Sequence, residues 1–171
     1  LEGMNALAEL LSQADSPALP AARRTPLVAE LVLAHLEKAT LTAEKNLQVQ
    51  VKAMEVVASV CQTFESVARR SAAKGLRCAV ARLGARQTKP SACAALHALA
   101  SSCGALWTLA TTRESACAHK DPKVLLEALG WAKELVERAS ADGAPLSPKE
   151  PVALAMAAID ARDAANREAA M

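Results

Sequence analysis

Lys45, Lys89, Lys120, Lys123, Arg162 and Arg167 stand in short polar stretches between runs of apolar sequence. Ammonium and guanidinium groups at such points can attract carboxylates, set the register of a partner and speed its arrival, without making or breaking a bond. The most informative stretch is His119-Lys120-Asp121-Pro122-Lys123-Val124. Asp121 is predicted to cap a helix, because its carboxylate can accept an orphan backbone N–H and complements the helix dipole. Pro122 then occupies the first helical position, where its missing N–H costs nothing. Two lysines are thereby held at fixed, exposed points beside a helix start, and His119 adjoins them, open to a partner contact.

Covalent chemistry finds no footing. There is no Gly-rich phosphate loop, no convergent pair of carboxylates and no Ser/His/Asp or Cys/His signature, so the chain is not read as an enzyme. The five cysteines, Cys61, Cys78, Cys93, Cys103 and Cys117, form no CxxC pair and fall in or beside apolar helical patterns. They are expected to be buried free thiols in a reducing compartment. Cys117-Ala118-His119 lacks a second ligand pair at zinc spacing, so neither a metal nor a cofactor is expected.

The chain has 171 residues, enough for one domain, with 52% hydrophobic but only 2% aromatic residues. The apolar content is mostly Ala, Leu and Val, which favours closely packed helices. A net charge of +2 is too small for nucleic-acid binding by bulk electrostatics, so any basic surface must arise from local placement. No apolar run reaches the ~18 residues of a membrane span.

Helices are predicted over Glu2–Gln13 (Met4, Leu7, Leu10 and Leu11 on one face) and over Leu27–Ala39, the latter opened by Thr25-Pro26. Next come a helix with Val49, Ala53, Val56, Val57 and Val60 inward, and one ending near Leu83 with Gly84 as its glycine cap. A helix after Pro90 carries Ala95, Leu96 and Leu99 and is closed by Gly104. Thr108 is expected to cap a short helix to Ala118. The helix after Asp121 should bury Leu125, Leu129, Ala132 and Val136. Ser147-Pro148-Lys149-Glu150 reads as a capping box before a stripe of Val152, Ala155, Met156 and Ile159. Trp131 is expected in the core, Trp107 in packing, and His35 and His97 in packing or at the surface. No strand alternation is present.

The cation-bearing loops recur at roughly 30–45 residues, near the period of HEAT-type helical hairpins. Stacked hairpins share one continuous core, and the turns within each pair emerge along one edge. The expected fold is therefore an all-α HEAT-repeat α-solenoid of about four to five hairpins, with the basic residues in a row.

Lys120-Asp121-Pro122-Lys123, followed by Glu127-Ala128-Leu129-Gly130-Trp131, resembles the loop and helix of a TOG domain, the HEAT-repeat tubulin-binding module of microtubule polymerases and plus-end proteins. Asp160 to Ala169 resembles that family's fifth loop, which ends in an Arg and small residues, here Asn166-Arg167-Glu168-Ala169-Ala170, and Lys45–Val49 and Arg86–Ser91 match the second and third loops more weakly. The order is most like a central domain of the polymerase arrays. The resemblance implies a single TOG-like domain over 1–171, incomplete at both ends, with the first repeat's Trp upstream and a sixth repeat downstream. It implies α/β-tubulin or the microtubule as partner, met by Lys45, Lys89, Lys120, Lys123, Arg162 and Arg167 along the loop edge. It further implies a monomeric domain of a multi-domain chain at the cytoplasmic cytoskeleton (plus ends, spindle, centrosome or basal body), with no nucleic acid and no membrane. Two alternatives stay open: a HEAT scaffold that binds another protein through its helical face, and a TOG domain that serves mainly as a spacer.

Overall fold

The computed structural model describes residues 2–3, 5–6, 9, 26–41, 45–64, 67–160 and 171. Seven helices lie among them: α1 (Pro26–Leu41), α2 (Leu47–Thr63), α3 (Arg69–Ala81), α4 (Lys89–Cys103), α5 (Ala105–Cys117), α6 (Pro122–Ala141) and α7 (Lys149–Asp160). No strand occurs among the described residues.

Local chemistry starts and stops these helices. Asn46 Oδ1 accepts from the Gln48 and Val49 amides at 3.0 and 3.4 Å, and Asp121 Oδ1 accepts from the Lys123 amide at 3.0 Å. Both caps satisfy amides that a first helical turn leaves orphaned. Gly104, at φ 97°, closes α4 and opens α5 in a conformation that a side chain would strain.

Helices α1, α3, α5 and α7 pack side by side as one layer, and α2 packs on α4 in a second. Side chains rather than close backbones join α4 to α6: His97 lies over Trp131 with ring centroids 5.8 Å apart, and Lys89 pairs with Glu127. Among the described residues the architecture is an α-solenoid of three hairpins (α1–α2, α3–α4, α5–α6) followed by α7. The core is built mainly from Leu, Val and Ala of these helices, and Trp131 is buried in it at 1% exposure.

Several expectations need correction. Gly84 does not cap α3, which ends at Ala81 with Arg82 as its cap; Gly84 instead lies against the next turn. Thr108 is buried inside α5, its hydroxyl donating to the Gly104 carbonyl at 3.0 Å, so it caps nothing. On α6 the buried residues are Val124, Leu125, Ala128, Trp131, Ala132 and Leu135, while Leu129 and Val136 are only half-buried. On α7 Leu154 and Ala158 are buried, and Val152, Met156 and Ile159 are 56, 51 and 37% exposed. The capping box does not form as expected: α7 starts at Lys149, the Pro148 carbonyl takes the Val152 amide, and Glu150 reaches Arg113 at 3.3 Å. Cys61, Cys78 and Cys103 are buried free thiols, whereas Cys93 is half-buried and Cys117 exposed. The helix expected over 2–13 lies largely outside the described residues, as do Thr25, Arg162 and Arg167.

Candidate functional site: the basic loop edge

The turn at 82–88 and the turn at 118–121 touch. A Cβ added to Gly84 would stand 3.1 Å from Asp121 Oδ2 and from Val124 Cγ2, and 3.7 Å from Lys123 Cβ. Two successive intra-hairpin turns therefore sit on one edge, in the order the solenoid repeat demands.

Each turn is internally braced. In the first, Thr88 is fully buried, and its hydroxyl donates to the Arg82 and Ala85 carbonyls at 2.7 and 3.3 Å. In the second, His119 Nδ1 accepts from the Asp121 amide at 3.1 Å while Asp121 caps α6. The sequence left His119 open to a partner contact; in the structure it holds the basic loop in shape.

The described cations differ in availability. Lys45, Lys120 and Lys123 are exposed, with no ion pair among the described residues. Lys89 is the first residue of α4 and pairs with Glu127 of α6. That bond, more than any other influence, raises the Lys89 pKa above the ordinary lysine value. Its charge is thus largely answered inside the molecule. Arg86, exposed and without an ion pair among the described residues, is the cation that the sequence reading passed over in this turn. In sequence both cations stand in one basic stretch, and only the start of α4 at Lys89 sets them apart. Arg162 and Arg167 fall outside the described residues.

Lys120, Lys123 and Arg86 lie in or next to the two turns that meet at Gly84, and the Asp121 carboxylate among them is committed to the cap. Such an arrangement can dock an acidic protein surface through charge and fixed spacing. Among the described residues, no three His, Cys, Asp or Glu side chains converge as a metal site.

No family model and no curated protein matches the chain. The structure superposes on the solved Drosophila melanogaster Mini spindles TOG3 with a TM-score of 0.75, over 98% of this chain and 70% of that one, at 18% identity. The fold is that of a TOG domain. Of the described cations, Arg86 and Lys120 lie in turns between paired helices, and Lys89 and Lys123 lie in the first turn of the helix that follows. The all-α HEAT-repeat architecture expected from the hairpin period is therefore the one observed.

Proposed function

We propose that this chain is a tubulin-binding module of a microtubule-associated protein, acting at the cytoplasmic microtubule cytoskeleton to promote or regulate microtubule growth. The carrying observation is the stacking of the Gly84 and Asp121 turns, which groups Arg86, Lys120 and Lys123 on one braced edge. The TOG fold supports the reading, and an acidic tubulin surface is the complement such an edge would seek. Lys45, Arg162 and Arg167 would extend the row in this reading, with Lys89 contributing less because of Glu127.

Co-elution of the chain with α/β-tubulin, at low and at moderate salt, tests it. Wild type should co-elute and weaken as salt rises, since exposed charges are screened. Lys120→Glu/Lys123→Glu should abolish co-elution while shifting stability by no more than about 0.5 kcal/mol. Equal binding by wild type and the double variant would remove the loop edge as the site.

A second reading is favoured by one observation: an open concavity of about 720 Å³ on the α2–α4–α6 face, lined by Phe64, Pro90, Cys93, Ala94, His97 and Arg138 among others. A scaffold partner seated there would be displaced by Ala94→Arg and indifferent to the lysine reversals.

A further inference from the structure

The edge opposite the basic loops carries a segment that the docking function leaves unused. Pro145-Leu146-Ser147-Pro148 joins α6 to α7, and Ser147 is exposed. Neither the Ser147 amide nor its hydroxyl makes a hydrogen bond among the described residues. Each proline drives the residue before it toward extended backbone. Leu146 packs against the core and pins the segment, while Ser147 beside it is exposed. A segment outside any helix, with an exposed serine whose amide and hydroxyl are unbonded among the described residues, is what a protein-kinase cleft accepts. Pro148 adds selectivity: without an N–H, it suits a kinase whose next subsite offers that group no acceptor.

The surroundings suit the product as well. Ser147, Arg69, Leu106, Trp107, Lys149 and Glu150 line one concavity of about 390 Å³. Arg69 donates through Nε to the Cys103 carbonyl at 3.2 Å and lies 5.8 Å over the Trp107 ring, leaving its other guanidinium donors for an anion. Glu150, the acid in the lining, is held by Arg113 at 3.3 Å.

We propose that Ser147 is a proline-directed phosphorylation site whose phosphate docks between Arg69 and Lys149, tying the start of α7 to the start of α3. In the step, Ser147 Oγ attacks the γ-phosphorus of ATP. The Oγ–P bond forms, the bond to the bridging oxygen of ADP breaks, and the hydroxyl proton passes to the kinase's base. The phosphoserine carries about −1.5 to −2 charges and three strong acceptors, which a guanidinium and an ammonium at a helix start can share.

The test incubates the folded 171-residue chain with Mg–ATP and a mitogen-activated, proline-directed kinase, then maps phosphate by mass spectrometry. Ser147 should be labelled, labelling at this site should vanish in Ser147→Ala, and it should persist when Ser16 and Thr25, each also followed by proline, are both changed to alanine. A folded chain that takes no phosphate at Ser147, while a peptide spanning 142–152 is labelled, overturns the assignment. Docking is read from Trp107 emission, against the constant background of buried Trp131. Phosphorylation should shift it in wild type and leave it unshifted in phosphorylated Arg69→Gln, with Lys149→Gln giving a reduced shift. Unchanged wild-type emission after full labelling overturns the docking half.

Discussion

Lys89 of α4 is ion-paired with Glu127 of α6, across the gap where those two helices keep their backbones apart. The pair spans consecutive hairpins beside the basic edge, so a cation that sequence spacing assigns to a partner also serves as an internal strut. Both side chains retain solvent contact, and such pairs contribute about 0.2–1 kcal/mol. Lys89→Ala should therefore lower stability within that range in denaturant unfolding. Because the folded pKa is raised, the contribution is present below the unfolded lysine value and is lost as pH climbs through the folded one. In tubulin co-elution, Lys89→Glu should weaken binding less than Lys120→Glu; the reverse order would show that a partner competes Lys89 away from Glu127.

Gly84 tests the stacking of the turns. Its alanine variant would press on Asp121, committed to capping α6, and on Val124, 1% exposed. Neither can easily yield, so Gly84→Ala should cost about 1–3 kcal/mol, the usual range for overpacking. Thermal unfolding followed by circular dichroism measures it. An unchanged midpoint would mean that the turns can slide apart.

Trp131 fills the junction between α4 and α6 and meets the His97 ring at a tilt of 49°. Trp131→Ala should cost about 3–5 kcal/mol through the cavity it leaves. Trp131→Phe should cost distinctly less, since the buried indole Nε1 has no hydrogen-bond partner among the described residues, so its removal breaks no bond there. Urea midpoints of the two variants decide this, and equal losses would contradict it.

Cys61 supplies a pH prediction. Burial, and secondarily Cys103, pushes its thiol from 9.0 up to about 12. Above the unfolded value the unfolded chain loses this proton while the folded one keeps it, so stability should fall as pH rises from about 9 toward 12. Cys61→Ala should flatten that alkaline slope in urea titrations. In the native state at neutral pH, iodoacetamide should modify exposed Cys117 well before Cys61.

Local chemistry made much of this protein legible in its residues alone. Asp121-Pro122 starts α6 and Gly104 separates α4 from α5 through interactions within a few residues, and those act before any neighbour arrives. The alanine-rich composition and the recurrence of cation-bearing turns likewise pointed to a helical solenoid, because period and propensity are properties of the chain itself. The choice of buried face was not local. Around α6 and α7 apolar residues occur on several sides, and α5 and its neighbours select Val124–Ala128–Trp131–Leu135 and Leu154–Ala158 from among them. Gly84 looked like a helix stop because its neighbour across the turn is nearly forty residues away in sequence, and only stacking brings Asp121 against it. Lys89 and Arg86 look equivalent as letters in one basic stretch. Their difference arises from Glu127, placed by the next hairpin, because Coulomb energy depends on where opposite charges come to rest in space.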